Sequence, residues 1–520
     1  MKHLGFTRGK ANGIQFSAMM SKVRPISSPD RSPRRKALIV DLNNFSTFPT
    51  LAVGLLVAAM RNAGHSVELL SPLANDVPAA ERERRETWRD QVMRRVHLST
   101  RPSLRVLRDM ARGTRFAWNN RVHPRVIRET RRALQRGPDV LLISSYLQHY
   151  KSVRVLAGLA ARQGIPVILG GPVFNLPRTA DMWRQIPGIT AIVGAEADLG
   201  LDAIFDAIGD PDALLAIPGV TLPDGRRGPP APPLRQLDRA PIPDFTDFPW
   251  DRYRFPVVPI MTGRGCQWDK CRFCSDVVSV NGRTFRTRSV ESVMHEMREQ
   301  SLRHATTNFL FLDLKLNSHP GMLRGIVENV QRYVPGAEWV GTIHVDQRAD
   351  NGLSPRELRA AVNAGMRRVS FGLESGSQRM LDTMDKGTTV EANAAFIRQA
   401  YEAGLSVRCT AFKGYPGETP EDLLETARFL EEHGKYIDRV RFNDFSIIEE
   451  TEIYNDLLAM PDRFPMQVTR RDDRNARALY RNPEAYGRPY RKAKARVARA
   501  VYAINRKPVR RAAAAFDGLM

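Results

Sequence analysis

Cysteine is scarce in this 520-residue chain, which contains only four. Three of them, Cys266, Cys271 and Cys274, fall within nine residues, and Cys409 stands far away. A secreted domain that depends on disulfides spreads paired cysteines along its sequence, so this distribution excludes a disulfide framework. It indicates a reducing compartment and a metal site.

Long apolar runs are also missing. The longest, Leu51 to Met60, is too short to cross a bilayer, which needs about 20 residues. The N-terminus lacks a compact apolar core with a small-residue cleavage site, so we expect no secretory signal. These absences predict a cytoplasmic protein without a transmembrane segment, and the Arg-rich, acid-poor start is interpreted as a flexible leader and not as an organellar presequence.

Acidic residues are outnumbered, with 56 Asp and Glu against 79 Lys and Arg, which gives a formal charge of +23. Such a charge first suggests a nucleic-acid or anionic-surface partner. The excess is confined to residues 1–36 (nine basic, one acidic), 81–136 (seventeen and six) and 470–520 (fifteen and four), so the rest of the chain nets about −7. A uniformly basic nucleic-acid binder has no such distribution, and we expect no nucleic-acid partner.

The order of apolar segments predicts an α/β protein. Hydrophobic content of 42% with 26% charged residues is typical of a multidomain globular chain. After the leader 1–36, apolar strands alternate with helices over residues 37–207, with a basic helical insertion at 81–136. This alternation predicts a doubly wound, Rossmann-like parallel sheet covered on both faces. Residues 208–255 are rich in Pro and Gly and are interpreted as a linker.

A second alternating series fills residues 256–456. Its predicted strands are 257–262, 308–313, 338–345, 367–373, 406–412 and 438–446. They are separated by predicted helices at 290–303, 320–333, 355–364, 391–403 and 420–433. Six β/α units predict a partial TIM-type barrel, in which ligand-binding residues follow the carboxyl ends of the strands. Residues 457–520 form a basic C-terminal extension, and we expect its tail from residue 470 to be partly helical and partly loose.

The cysteine cluster directly follows the first strand of this second series. Three thiolates on one loop suit soft metals and iron–sulfur clusters. A structural zinc site normally has a fourth Cys or His, whereas three ligands leave one iron of a cluster open to a non-protein ligand. Zinc with His295 or His304, and simple redox or unligated thiols, are the alternatives. Cys409 is interpreted as a buried apolar residue of its strand.

The segment Gly263-Arg-Gly-Cys266 through Cys274, opening a six-unit barrel, resembles the radical S-adenosylmethionine (radical SAM) superfamily. With the preceding doubly wound domain, residues 37–456 are similar to its cobalamin-binding class. The usual CxxxCxxC spacing is CxxxxCxxC here. The resemblance implies a [4Fe-4S] cluster on Cys266, Cys271 and Cys274, and SAM that is cleaved to a 5′-deoxyadenosyl radical by an electron from an external reductant.

Further stretches resemble SAM-binding elements of this superfamily. Phe371-Gly-Leu-Glu-Ser-Gly-Ser looks like its ESGS element, and Lys413-Gly-Tyr-Pro-Gly-Glu-Thr looks like its GxPGET element. Each alone also fits a strand end, or a helix start capped by Thr419, but their order after the cysteines favours a joint assignment. The resemblance implies SAM contacts at Phe273, Asp313, Glu374, Ser375, Gly414, Pro416 and Gly417.

Cobalamin needs a crevice at the carboxyl ends of a parallel sheet. The resemblance implies that it contacts Phe48, Pro49, Ser144, Ser145, Tyr146, Gly170, Gly171, Pro172 and Glu196. An ordinary doubly wound scaffold is the alternative. The first loop lacks the histidine of a DxHxxG motif, which implies base-off cobalamin whose lower face has no histidine ligand. Tyr146, His149 and Tyr150 are the candidates to cover that face.

These resemblances imply an enzyme that methylates an unactivated carbon of a small-molecule or peptide substrate, including anionic or carrier-bound ones. One SAM would remethylate cobalamin and another would supply the radical. Alternatives are cobalamin-associated rearrangement, cyclisation or oxidation without methyl transfer, and a non-catalytic cobalamin-binding module. A tRNA methylthiotransferase carries a second three-cysteine cluster upstream, and it is rejected because no cysteine precedes Cys266.

Overall fold

Two successive sheets of parallel strands organise the chain in a computed structural model. The structure describes residues 35–42, 47–77, 83–98, 106–108, 110–111, 114, 122–276, 284–460 and 466–519. Residues from Arg35 onward form one compact unit. The predicted leader, apart from residues 35 and 36, lies outside the described residues, as does part of the predicted insertion 81–136.

The first sheet contains six strands. They are β1 (Lys36–Asp41), β2 (Ser66–Leu70), β3 (Val140–Ser144), β4 (Val167–Gly170), β5 (Ala191–Val193) and β6 (Val220–Thr221). Its helices are α1 (Leu51–Asn62), α2 (Trp88–Leu98), α3 (Pro124–Leu134), α4 (Tyr150–Ala161), α5 (Pro177–Arg184), α6 (Leu201–Asp206) and α7 (Pro211–Leu215). The strand order is β2-β1-β3-β4-β5-β6, with β6 antiparallel to β5 and the other pairings parallel. The predicted doubly wound sheet is confirmed, and the stretch interpreted as a linker supplies its edge strand β6.

Both faces of this sheet are buried, as its continuous apolar strands predict. In β1, Ile39 belongs to one core cluster, whereas Leu38 and Val40 belong to the cluster on the opposite face. Gly64 ends α1 in a left-handed conformation with φ of 88°, and its N–H donates to the carbonyl of Arg61 at 2.9 Å. Gly64 thus follows the C-cap residue Ala63 at the position where a helix end favours glycine.

The second sheet is the predicted partial barrel. Its six strands are β7 (Val258–Ile260), β10 (Asn308–Phe311), β11 (Glu338–Ile343), β12 (Met366–Glu374), β13 (Ser406–Lys413) and β14 (Arg439–Asp444). Between β7 and β10, a separate two-stranded ribbon is formed by β8 (Gly263–Arg264) and β9 (Arg286–Thr287). The helices between them are α8 (Val290–His304), α9 (Pro320–Tyr333), α10 (Pro355–Asn363), α11 (Gln378–Thr383), α12 (Val390–Ala403) and α13 (Pro420–His433). The barrel strands are all parallel in the order β14-β13-β12-β11-β10-β7. All six predicted strands are confirmed.

The C-terminal extension is more ordered than the sequence predicts. After β14 come β15 (Ile447–Ile448) and α14 (Glu452–Ala459), and the extension 457–520 then contains β16 (Gln467–Asp472), β17 (Arg477–Arg481) and α15 (Arg488–Asn505). The strands form an antiparallel sheet in the order β15-β17-β16. The side chain of Asn505 covers the open edge of the barrel, accepting from the N–H of Val440 at 2.8 Å and donating to its carbonyl at 2.9 Å. In the described ranges, no helix combines the length and the apolar character that a membrane crossing requires.

Three buried arginines lie near the amino ends of the last barrel strands. They are Arg368, Arg408 and Arg439, all under 6% exposed. Glu83, from the segment before α2, pairs with Arg408, and Asp517, near the end of the extension, pairs with Arg439 at 2.6 Å. Segments far apart in the sequence therefore close the floor of the barrel together.

Candidate active site

The three clustered cysteines lie in the loop that follows β8, at the carboxyl end of the barrel. Cys271 is 8% exposed, and Cys266 and Cys274 are half-buried. Inside the loop, the N–H of Cys274 donates to the carbonyl of Cys271 at 3.2 Å. The sequence therefore places the three thiols on one loop, and the fold places that loop at the mouth where barrel enzymes bind ligands.

The extra residue between the first two cysteines belongs to a segment that is anchored on a neighbouring turn. The indole N–H of Trp268 donates to the carbonyl of Asp385 at 2.8 Å. Its ring lies against Gly387, where a Cβ atom would stand 2.3 Å from the indole. That turn also carries Lys386. The segment between Cys266 and Cys271 therefore holds the cysteine loop beside the buried ammonium group of Lys386.

Two lysines act on the thiols. Burial raises the pKa of Cys271 to about 11 and also raises the pKa of Cys266. The positive charge of Lys386 opposes the rise of both pKa values, and Lys315 opposes the rise at Cys266. Burial lowers the pKa of Lys386, but Glu374, Cys271 and Cys274 raise it on balance. Lys386 thus interacts with all three thiols.

This donor set fits an iron–sulfur cluster better than one metal ion. Among the residues that the structure describes, no three His, Cys, Asp or Glu side chains are grouped to hold a single ion. A [4Fe-4S] cluster binds each thiolate to a different iron, so its ligands stand farther apart. His304, one alternative zinc ligand, instead stacks on Trp250 with ring centroids 4.4 Å apart.

Asp313 follows β10 and is already engaged by the backbone of the cysteine loop. Its carboxylate accepts from the N–H and hydroxyl of Thr262, the latter at 2.7 Å, and from the N–H of Gly263 at 2.9 Å. Burial raises its pKa to about 6, against these hydrogen bonds. Asp313 therefore orients the entry to β8.

Glu374 and Ser375 end β12 in different surroundings. Glu374 has φ of 56°, a strained value for a residue other than glycine. Its carboxylate accepts from the Lys386 ammonium at 2.9 Å. Ser375 is 1% exposed, and its hydroxyl lies 3.2 Å from the Thr426 hydroxyl. Glu374 thus meets the cation beside the cysteines, whereas Ser375 packs the strand end against α13.

Phe273, between the last two cysteines, belongs to an aromatic cluster. Its ring lies 5.4 Å from Phe412, 6.5 Å from Tyr415 and 6.5 Å from Phe445, measured between centroids. The Lys386 ammonium lies 5.6 Å from the centre of the Phe273 ring. The carboxyl ends of β13 and β14 therefore give the cysteine loop an apolar wall.

The Lys413–Thr419 loop, named here the 413–419 loop, joins β13 to α13. Gly414 and Gly417 both have positive φ, 84° and 80°, which glycine adopts without strain. Pro416 is buried between them. The side chain of Thr419 caps α13 by accepting from the N–H of Asp422 at 3.4 Å. The helix-cap interpretation of Thr419 is therefore confirmed.

A large cavity of about 650 Å³ lies between the two sheets. Its volume is in the range of cofactor pockets. Seven of the nine residues predicted for cobalamin line it: Phe48, Ser144, Tyr146, Gly170, Gly171, Pro172 and Glu196. The other two, Pro49 and Ser145, are buried and are not part of the described lining.

The same cavity reaches the barrel. Met261, Leu312 and Leu314 line it from the carboxyl ends of β7 and β10, together with Arg264 of β8. Its walls are largely apolar, through Leu51, Leu55, Leu56, Leu142, Ile168 and Leu201. Apolar walls with a few polar groups are typical of cofactor pockets. Because Arg264 stands two positions before Cys266, the cavity and the cysteine loop are neighbours.

Glu196 is the centre of an ion-pair network at this junction. It accepts two hydrogen bonds from Arg286, at 2.8 and 2.9 Å, and one from the N–H of Leu234 at 2.8 Å. Arg264 approaches it at 3.2 Å and pairs with Asp198. The predicted cobalamin contact of Glu196 therefore comes with a structural role between the two sheets.

The three residues predicted to cover the lower face of cobalamin lie in different surroundings. Tyr146 is 42% exposed and lines the cavity. Burial lowers the pKa of His149 to about 4, so its imidazole is neutral. Tyr150 packs against Trp183 at 5.0 Å and under the guanidinium of Arg474 at 4.1 Å. Of the three, only Tyr146 is in the described lining.

Sequence reasoning missed several charged residues of the site. Lys386 follows α11, and Lys315 and Asp346 follow β10 and β11 as a buried ion pair, each side chain 1% exposed. Asp198 lies in the turn after β5. Lys315 and Asp346 follow predicted strands, so their position was a usable signal. Asp198 likewise follows a predicted strand, whereas Lys386 lies in a turn after α11 and no spacing rule indicated it.

The barrel matches a known family. Residues 260–430 match the Radical SAM superfamily. The chain is 27% identical over 300 residues to an uncharacterized methyltransferase of Pyrococcus horikoshii, covering 56% of this chain and 64% of that protein. It is 28% identical over 295 residues to the anaerobic magnesium-protoporphyrin IX monomethyl ester cyclase of Rubrivivax gelatinosus, covering 53% and 51%. The chain thus spans 64% and 51% of the lengths of these curated relatives.

Two kinds of solved structure share the arrangement of both sheets. The radical SAM methyltransferase TsrM from Kitasatospora setae, with cobalamin and [4Fe-4S] cluster bound, matches at a TM-score of 0.61 and 17% identity over 90% of this chain and 91% of that one. The cobalamin-dependent SAM radical enzyme OxsB, with aqua-cobalamin bound, matches at a TM-score of 0.62 and 15% identity, over 86% of this chain and 64% of that one. At these identities the likeness establishes the fold, a doubly wound sheet followed by a radical SAM barrel.

Proposed function

We propose, on the premise that residues 260–430 form a radical SAM domain, that the protein is a cobalamin-dependent radical SAM enzyme. Its reaction would be methylation of an unactivated carbon in a small-molecule or peptide substrate. The observation that carries the proposal is the cavity between the sheets, which is lined from both sides and reaches Arg264 beside the cysteine loop. A group held there can act on a ligand in the barrel mouth.

Each cofactor has a candidate set of residues. Cys266, Cys271 and Cys274 would hold the [4Fe-4S] cluster. The 413–419 loop and Glu374 would contact SAM, and the cavity would hold cobalamin. When bound, the cluster supplies the electron that cleaves SAM, and cobalamin carries the methyl group.

The chain itself supplies exclusion of water and fixed charge. The aromatic cluster of Phe273, Phe412, Tyr415 and Phe445 covers one side of the cysteine loop, and water-excluding walls limit side reactions of radicals. Lys386 places a positive charge beside the thiols, and Glu374 balances it at 2.9 Å. A buried charge with a buried partner stays in place, so the electrostatic environment of the loop is preorganised.

The partners follow from this proposal. The substrate would be a small molecule or a peptide, anionic and carrier-bound ones included, and an external one-electron reductant would serve the cluster. A TsrM structure from Kitasatospora setae contains a tryptophan substrate with a SAM analogue, which supports a small-molecule substrate. We place the protein in the cytoplasm, a reducing compartment that suits the thiol loop, and assign it no nucleic-acid partner.

A second candidate is radical cyclisation, rearrangement or oxidation without methyl transfer. The observation that favours it is the 28% identity over 295 residues to a magnesium-protoporphyrin IX monomethyl ester cyclase. The same cavity and loop would serve it. The two candidates differ in what becomes of SAM.

Product analysis separates them. The protein is purified and reconstituted anaerobically with iron, sulfide and hydroxocobalamin, then incubated with SAM, a reductant and a metabolite pool. S-adenosylhomocysteine together with 5′-deoxyadenosine supports methylation, and deoxyadenosine alone supports the second candidate. A reconstituted protein that binds cobalamin but never cleaves SAM would leave only a cobalamin-binding module.

A further inference from the structure

Two tyrosines of the C-terminal extension reach the 413–419 loop from outside the barrel. The hydroxyl of Tyr480, in β17, donates to the carbonyl of Gly414 at 2.7 Å and lies 3.2 Å from the carbonyl of Phe445. The hydroxyl of Tyr490, in α15, donates to the carboxylate of Glu418 at 2.6 Å. Neither tyrosine belongs to the radical SAM domain match, which ends at residue 430.

Both backbone groups of Gly414 are held by this arrangement. Its N–H donates to Oε2 of Glu418 at 2.6 Å, the same oxygen that Tyr490 contacts. Its carbonyl is the acceptor of Tyr480. A flip of the peptide before Gly414 would break the first bond and a flip of the peptide after it would break the second, so the two tyrosines restrict the conformation of the loop.

Burial makes these bonds hard to replace with water. Glu418 is 2% exposed and Tyr490 is 3% exposed. A buried hydrogen bond that loses one partner leaves the other group unsatisfied, which costs more than the bond itself contributes. Gly414 and Gly417 have positive φ and no side chains with which to anchor the loop, so the hydrogen bonds from the extension add to the restraint on its conformation.

Resting on the proposed function, we propose that Tyr480 and Tyr490 are positioning residues for SAM: they hold the 413–419 loop in its ligand-binding conformation. The C-terminal extension is then part of the SAM site, although the sequence presents it as a basic tail. The free energy of fixing the loop is supplied before SAM arrives, which strengthens SAM binding.

The test compares Tyr480→Phe, Tyr490→Phe and the double variant with the wild type. Tyr436→Phe is the matched control, because its ring packs on Tyr401 at 5.4 Å outside the site. SAM affinity of the cluster-reconstituted proteins is measured by equilibrium dialysis, and cobalamin affinity by absorbance titration. Hydrogen exchange of peptides covering 413–419 reports loop order without any turnover.

We expect each single variant to bind SAM about 3- to 10-fold more weakly, as loss of one buried hydrogen bond implies. Exchange at 413–419 should be faster, while cobalamin affinity and the control variant stay within 2-fold of wild type. Variants that bind SAM like the wild type, or that lose SAM and cobalamin affinity equally, would overturn the positioning role. A wild-type protein that binds no SAM would instead contradict the proposed function.

Discussion

Arg264 and Asp198 join the two sheets of this protein through a two-pronged ion pair. The guanidinium donates to both carboxylate oxygens of Asp198, at 2.8 and 2.7 Å. The side chains are 8% and 7% exposed. Asp198 follows the last parallel strand of the first sheet, and Arg264 precedes the cysteine loop by two positions. The pair therefore fixes the cavity relative to the thiols.

Replacing Arg264 with methionine should destabilise the protein by about 3–5 kcal/mol, because Asp198 would remain buried without its partner. Denaturant unfolding monitored by circular dichroism measures the change. The double variant Arg264→Met/Asp198→Leu should recover most of the loss. Arg226→Met breaks an ion pair whose two side chains are each 51% exposed and should cost about 0–1 kcal/mol. Equal losses of unfolding free energy in Arg264→Met and Arg226→Met would show that the buried ion pair contributes no more to stability than the exposed one.

Single Cys→Ala substitutions at positions 266, 271 and 274 should each abolish most of the bound iron after anaerobic reconstitution, since a three-ligand cluster has no spare thiolate. Iron content and charge-transfer absorbance measure the loss. Cys409→Ala is the control, because that thiol is fully buried in β13 and burial raises its pKa to about 12. Iron retained by the three loop variants, or lost from the control, would place the metal elsewhere.

Adjacent glycines at the end of β4 should respond oppositely to substitution. A Cβ at Gly170 would have its nearest neighbour at 3.9 Å, so Gly170→Val fits the fold and projects into the cavity. A Cβ at Gly171 would stand 2.1 Å from the carbonyl oxygen of Ser145. We expect Gly170→Val to weaken cobalamin binding at least ~10-fold with an unchanged melting temperature, and Gly171→Val to lower that temperature. Unchanged cobalamin affinity in Gly170→Val would argue that cobalamin lies elsewhere.

Glu418 should make stability fall as pH rises toward neutrality. Burial raises its pKa to about 7, although Tyr490 and the Gly414 N–H oppose the rise. The folded state thus binds a proton more tightly than the unfolded state, whose carboxyl has an ordinary pKa. Stability from this group is full below about pH 4.5 and is lost through pH 7, by roughly 1–3 kcal/mol. Thermal melts between pH 5 and 8 should show a shallower decline in Glu418→Gln than in wild type; parallel curves would contradict the assignment.

The strands and the cysteine loop were predictable because each depends on local sequence. Apolar runs such as Val140–Ser144 must be buried, and their carboxyl ends mark where ligands bind. Seven of the residues that the family resemblance implies for cobalamin line the cavity. The rule failed at Ser145, whose hydroxyl donates to the carbonyl of Tyr146 at 3.1 Å. Strand ends predict a neighbourhood, but side-chain direction depends on packing.

The ion pairs of the site could not be predicted from the sequence, for a different reason. Lys386 meets Glu374 across a turn, and Arg264 meets residues of another sheet. Nothing in the spacing of these residues indicates which opposite charge each will contact, because ion pairs depend on tertiary approach. The tail was expected to be partly helical and partly loose, and it contains strands β16 and β17 as well as helix α15. Its contacts, such as that of Asp517 with the buried Arg439 of β14, depend on tertiary approach in the same way.

The floor of the barrel has a consequence for how the chain folds. Glu83 pairs with Arg408 at a separation of 325 positions, and Glu86 accepts from Asn505 across 419 positions. Contacts between such distant segments form late, since long loops must close first. The floor should therefore be the last part of the barrel to close, once segments from both sides of it in the sequence have folded against it.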